Sequence, residues 1–80
     1  MARVPVYMPK FGMTMTHGLI VEWYFSAGEY VSEGQALLAV ETEKVNVDLK
    51  APAGGRLSDI QHADESEVPV GEIVAYIETE

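Results

Sequence analysis

Two runs joined by a short turn, mainly polar, whose last residue opens the second run, give the clearest pattern in this chain. Ala36-Leu37-Leu38-Ala39-Val40 is continuously apolar, and Val45-Asn46-Val47-Asp48-Leu49 alternates with the period of a strand. Between them lies Glu41-Thr42-Glu43-Lys44-Val45, so the pattern predicts a hairpin with Lys44 at or beside its apex. Other segments follow the same habit. Val4 to Met8 predicts a first strand, which Pro5 places near a sheet edge because proline donates nothing to a ladder. Pro9 to Gly18 reads as a loop. Leu19 to Phe25 reads as a long strand, Tyr30 to Gln35 as a short strand followed by a turn, Arg56 to His62 as another strand, Val68-Pro69-Val70 as a short extended piece, and Ile73 to Ile77 as the last. Gly and Pro mark the turns between them, at Ser26 to Glu29, Lys50 to Gly55 and Gly71-Glu72. No window carries a helical period, so the prediction is all-β.

An internal repeat turns this list of strands into an architecture. Displaced by 37 positions, Gly18 meets Gly55, Val31 meets Val68, Gly34 meets Gly71 and Glu41 meets Glu78. Ile20 then meets Leu57, Trp23 meets Ile60, Leu37 meets Val74 and Val40 meets Ile77, with no gap from Gly18 to Glu41. Two halves of about four short strands bury their apolar faces against each other. The expected fold is therefore a flattened β-barrel or sandwich of two four-stranded antiparallel sheets with a pseudo-two-fold repeat, forming one domain over residues 1–80. The repeat fails in one place. Pro9 to Gly18 spans nine positions where Pro52 to Gly55 spans three. The first strand should start beside the last, which brings this longer loop near the hairpin tip and leaves the C-terminus at the opposite end. Phe11, Met13 and Met15 in the loop are candidate partner contacts; the methionines read equally well as covers for the rim of the core.

Charge narrows the function. The formal net charge is -8, with five Lys and Arg against thirteen Asp and Glu. That balance disfavours nucleic acid, whose phosphates call for clustered basic residues, and favours partners with basic surfaces. With no cysteine there is no disulfide, no thiol nucleophile and no thiolate metal site. No apolar run approaches the ~18 residues of a membrane helix, and the first residues lack the apolar core of a signal peptide. His17 and His62 stand alone, the acidic run Asp64 to Glu67 reads as a solvated loop, and no catalytic or metal constellation is visible. Trp23 and the tyrosines read as core and boundary residues.

The turn Glu41-Thr42-Glu43-Lys44-Val45 resembles the Glu-Thr-Asp-Lys-(Ala/Val) turn of the lipoyl domains of 2-oxo acid dehydrogenase complexes. Met8-Pro9-Lys10-Phe11-Gly12-Met13-Thr14-Met15, Gly18 to Trp23, Gly28-Glu29-Tyr30-Val31 and Ala51-Pro52-Ala53-Gly54-Gly55 extend the resemblance over nearly the whole chain. The opening segment is most similar to acyltransferase components of pyruvate or acetoin dehydrogenase complexes. Glu43 departs from the commoner Asp by one methylene. The resemblance implies that Lys44 is amide-linked to lipoic acid by a lipoate ligase or lipoyl transferase. It implies a carrier rather than a catalyst. A thiamine-diphosphate 2-oxo acid decarboxylase would load the arm, an acyltransferase core would unload it, and dihydrolipoamide dehydrogenase would restore the dithiolane. It implies a bacterial cytoplasm, or a mitochondrial matrix in a eukaryote. Glu41, Thr42, Glu43 and Val45 would serve as turn and recognition residues. Glu41 also reads as an ordinary strand-end carboxylate, since its repeat mate Glu78 has no lysine to serve. Two other readings stand beside this one: a biotin carrier, whose turn normally reads Met-Lys-Met, and an unmodified lipoyl-like binding module.

Overall fold

Four pairs of apolar residues that the repeat superposes form the centre of the molecule. Ile20 and Leu57, Val31 and Val68, Leu37 and Val74, and Val40 and Ile77 are each fully buried. In the computed structural model, which describes residues 2–10, 15–42 and 45–79, these side chains lie between two antiparallel sheets. The strands are β1 (Ala2–Tyr7), β2 (His17–Trp23), β3 (Tyr30–Val31), β4 (Ala36–Glu41), β5 (Asn46–Lys50), β6 (Gly55–Ser58), β7 (Glu67–Pro69) and β8 (Ile73–Thr79). One sheet has the order β1-β8-β6-β3 and the other β5-β4-β2-β7. The expected all-β sandwich of two four-stranded sheets is thus observed. Each sheet order maps onto the other when β1 is matched with β5, β8 with β4, β6 with β2, and β3 with β7.

The backbone hydrogen bonds repeat in the same way, which the apolar pattern alone does not require. Gly28 N–H donates to Leu57 O at 2.7 Å, and 37 positions on, Glu65 N–H donates to Ile20 O at 2.6 Å. Tyr24 N–H donates to Leu37 O and Gln61 N–H to Val74 O, both at 2.8 Å. Met8 N–H donates to Glu72 O and Ala51 N–H to Gln35 O, both at 2.9 Å. In this last pair the displacement between Met8 and Ala51 is 43 positions, because the six extra residues of the first loop precede β2.

Three sequence expectations are corrected in detail. The strand expected over Arg56 to His62 stops at Ser58, because Asp59 takes a left-handed backbone with φ of 48°. The strand expected over Leu19 to Phe25 is displaced towards its N-terminus, since His17 and Gly18 pair with Pro69 and Val68. The tyrosines are not core residues: Tyr7, Tyr24 and Tyr30 are exposed, and Tyr76 is half-buried. Pro5 lies on an edge strand as expected, since β1 pairs only with β8.

The register also fixes which end is which. β5 runs from the mouth of the hairpin to Lys50, and the chain then turns into β6, whose Arg56 pairs with Glu78. Ala2 pairs with Thr79 at that same end. The described ends of the chain and the closed end of the β4–β5 hairpin are therefore at opposite poles.

Candidate functional site

β4 is an interior strand and β5 an edge strand, so the hairpin is anchored from one side and free on the other. Its inward pairs are apolar. Val40 opposes Val47, and Leu38 opposes Leu49, with Leu38 and Val40 fully buried. Burying aliphatic side chains of this size stabilises by about 1.5–3 kcal/mol each, which roots the arm in the core. Towards the mouth the residues become polar and solvent-facing. Glu41 ends β4, exposed, opposite both Asn46 and Leu19.

Beyond Glu41 the two strands are closed by one residue from each side. Thr42 N–H donates to Val45 O at 2.9 Å. The Thr42 hydroxyl donates to the same carbonyl at 2.9 Å and accepts from Val45 N–H at 3.2 Å. Two positions separate these residues in sequence, the spacing of a tight two-residue connection. Val45 is 54% exposed, a large apolar side chain left in water at the mouth. Glu43 and Lys44 lie outside the described residues, as do Phe11 and Met13.

The loop that departs from the repeat returns beside this mouth. Leu19 pairs with Glu41 while His17 pairs with Pro69. Thr16 O accepts from Val70 N–H at 3.0 Å, and Met15 is half-buried against the core. A Cβ built on Gly18 would lie 2.8 Å from Val40 Cγ1 and 3.0 Å from both Met15 Cε and Met8 Sδ. Met15 is therefore packed over the root of β4.

A contact that the sequence reading missed braces the free side of the hairpin. The Tyr24 hydroxyl donates to Asp48 Oδ1 at 2.8 Å. Asp48 opposes Ala39 across β4–β5, and Ala39 opposes Glu22 across β4–β2. A methyl group at Ala39 leaves room for the phenol to reach over β4 to the edge strand. The bond to Asp48, with its charge and that of Glu22 nearby, raises the Tyr24 pKa above its ordinary value. No sequence signal links Tyr24 to Asp48, because their proximity arises only when β2, β4 and β5 align.

Described charges around the hairpin are mainly acidic: Glu22, Glu41 and Asp48 on the outer side. Lys50 is at the far end of β5, about 17 Å from Val45 at the rise of a strand. The histidines are elsewhere, with His17 Nε2 at 3.3 Å from Glu67 and His62 Nε2 at 3.2 Å from Glu72. Among the described residues no group of three or more His, Cys, Asp or Glu could hold a metal ion, and no helix is long and apolar enough to cross a membrane.

Comparison with known proteins bears on this arrangement. A family model described as "Biotin-requiring enzyme", of biotin/lipoyl domains, matches residues 4–77. The dihydrolipoyllysine-residue acetyltransferase component of the acetoin cleaving system of Bacillus subtilis is 36% identical over 74 residues, covering 92% of this chain and 19% of its own length. The succinyltransferase component of the 2-oxoglutarate dehydrogenase complex of the same organism is 38% identical over 77 residues, 96% of this chain and 18% of the relative. The acetyltransferase component of the pyruvate dehydrogenase complex of Corynebacterium glutamicum is 35% identical over 72 residues, 90% of this chain and 11% of the relative. The chain thus spans a fifth or less of the curated relatives it matches. The solution structure of the lipoyl domain of the 2-oxoglutarate dehydrogenase complex from Azotobacter vinelandii superposes with a TM-score of 0.79 at 24% identity, over 95% of this chain and 96% of that one. That likeness shows the same fold.

Proposed function

Because the chain belongs to the biotin/lipoyl domain family and is a lipoyl domain of the acyltransferase kind, a carrier and not itself a catalyst, we propose that Lys44 is the residue it uses to carry lipoic acid. The observation that supports this most directly is the closure of the hairpin at Thr42 and Val45, with Lys44 one of the two positions between them. Attachment forms an amide between Lys44 Nζ and the carboxyl carbon of an activated lipoyl donor. The donor's acyl–phosphate bond breaks, AMP leaves, and the ammonium gives two protons to solvent and keeps the third as the amide N–H. The formal charge then moves from -8 by one unit to about -9.

The described residues suit such a group. Glu41 and Val45 are exposed, and the arm's root is buried. When bound, the dithiolane would supply a strained disulfide that can take up and release an acyl group and a pair of electrons. The chain's own part is to hold the attachment point clear of the body at the pole opposite its termini. Tethering there raises the effective concentration of the arm at each partner.

In this reading residues 1–80 form one carrier domain of a 2-oxo acid dehydrogenase-type complex. Its partners are a lipoate ligase, a thiamine-diphosphate decarboxylase, an acyltransferase core and dihydrolipoamide dehydrogenase, in a bacterial cytoplasm. Relatives of similar identity come from acetoin, pyruvate and 2-oxoglutarate systems, so the match supports the class of complex rather than one substrate. Phe11, Met13 and Met15 remain the proposed partner contacts of the loop, with Met15 acting from its packed position. The biotin alternative is disfavoured by Glu43 and Val45, which stand where that turn carries methionines. Intact-mass measurement after treatment with a lipoate ligase, ATP and lipoate tests the proposal. The wild type should gain one lipoyl group and Lys44→Arg none; a gain in Lys44→Arg would overturn it.

A further inference from the structure

Thr42 does more in this hairpin than occupy a turn. Its hydroxyl is bonded twice to a single residue across the mouth, donating to Val45 O at 2.9 Å and accepting from Val45 N–H at 3.2 Å. Its own N–H donates to Val45 O as well, so that carbonyl receives both the main-chain and the side-chain donor of one residue. A hairpin mouth held by main-chain pairing alone can breathe by rotation about the last pair. The hydroxyl adds a second point of attachment, off the axis of the main-chain bond, and so resists that rotation. Only serine and threonine carry a hydroxyl on Cβ, and the β-methyl of threonine also restricts χ1.

The other described restraints lie in the ladder below. The apolar pairs that root the arm end at Val40 and Val47, and the Tyr24–Asp48 brace lies one residue further down β5. Glu41, exposed, pairs with Asn46 of β5 and Leu19 of β2. The Thr42 side chain therefore adds a restraint at the mouth itself, beyond the last ladder pair.

We propose that Thr42 is a positioning residue for modification: its hydroxyl clamp on Val45 fixes the two residues that flank Glu43 and Lys44 in the geometry that a lipoate ligase accepts. This rests on Lys44 being the lipoylation site. A ligase that must align a single amine with an activated acyl carbon binds only the competent fraction of its substrate's conformers. Its apparent affinity falls in proportion to that fraction. Loss of one hydroxyl clamp, worth about 1 kcal/mol net, lowers the ratio of clamped to unclamped conformers roughly fivefold, and the competent fraction falls by at most that factor. The defect should appear mainly in KM, since the rare competent conformer reacts normally once bound.

The test is steady-state lipoylation of the whole chain by a lipoate ligase with ATP and lipoate, read by intact mass. Thr42→Val keeps the shape and the β-branch and removes the hydroxyl. It should raise KM by up to about fivefold with kcat little changed, and Val45 N–H should exchange with solvent about fivefold faster. Thr42→Ser should restore KM to within about twofold. Equal KM for wild type and Thr42→Val overturns the positioning role while leaving the site intact. A defect in Thr42→Ser as large as in Thr42→Val overturns it too, by showing that the methyl and not the hydroxyl is used. If the wild type takes no lipoyl group at Lys44, both this role and the reading it rests on fail together.

Discussion

Gly18 and Gly55 occupy the same place in the two halves, yet replacing each with alanine should have unequal consequences. The comparison isolates what surrounds a glycine from what the glycine itself contributes. Neither has positive φ, so alanine introduces no backbone strain at either. Both variants also gain the same small stabilisation from a stiffer unfolded chain, about 0.4–1 kcal/mol, which cancels in the comparison. A Cβ on Gly55 overlaps the carbonyl oxygen of Glu78 and lies 2.9 Å from its carbonyl carbon and from Ile77 Cγ2. Two of these atoms are main chain in β8, so relief requires β6 to move off β8. A Cβ on Gly18 meets side-chain atoms only, and two of the three belong to the ends of methionines, which can turn aside. Overpacking of this kind costs about 1–3 kcal/mol. Gly55→Ala belongs at the top of that range and Gly18→Ala at the bottom. For a domain of this size each kcal/mol moves Tm by roughly 4–8 °C, so Gly55→Ala should lose roughly 12–24 °C and Gly18→Ala roughly 4–8 °C. Thermal unfolding followed by the fluorescence of Trp23, the single tryptophan, measures both. If Gly18→Ala proves as damaging as Gly55→Ala, the distinction between main-chain and side-chain obstruction is wrong.

Other outcomes follow from the same structure. Glu65 has φ of 65° where its repeat mate Gly28 has 94°. Glu65→Gly removes about 1–2 kcal/mol of left-handed strain against about 0.4–1 kcal/mol of unfolded-state entropy, so its urea midpoint should rise; a fall would show that the Glu65 side chain contributes more than its backbone costs. The Tyr24 phenol, raised first by its bond to Asp48, should ionise above the ordinary phenol value in a phenolate absorbance or NMR titration, and Asp48→Asn should lower it. Because the folded state holds that proton more tightly than the unfolded chain, the bond's contribution is present below about pH 10 and is lost as pH rises through the raised value. Glu43→Met combined with Val45→Met should make the turn a substrate for a biotin ligase; no biotinylation, read by mass, would show that these flanking residues do not discriminate between the two ligases.

The repeat made the fold legible before any coordinate. Hydrophobic alternation marked the strands, and the shared spacing of Gly18 with Gly55 and of Gly34 with Gly71 related the halves, because both halves solve one packing problem with the same residue types. The hairpin was legible for the same reason, as two apolar runs separated by a polar turn. Strand ends were less so: Asp59 turns left-handed and stops β6, and although aspartate tolerates that conformation better than most residues, the apolar pattern running on to Ile60 does not show it. The tyrosines misled because an aromatic ring is apolar by composition but amphipathic by chemistry, and only packing decides which part meets water. The reach of Tyr24 across Ala39 to Asp48 belongs wholly to the tertiary structure, and the hydroxyl clamp of Thr42 on Val45, though local in sequence, shows only once the hairpin has closed. Composition and period specify which faces are buried, whereas side-chain hydrogen bonds across strands depend on register, and register exists only once the strands have paired.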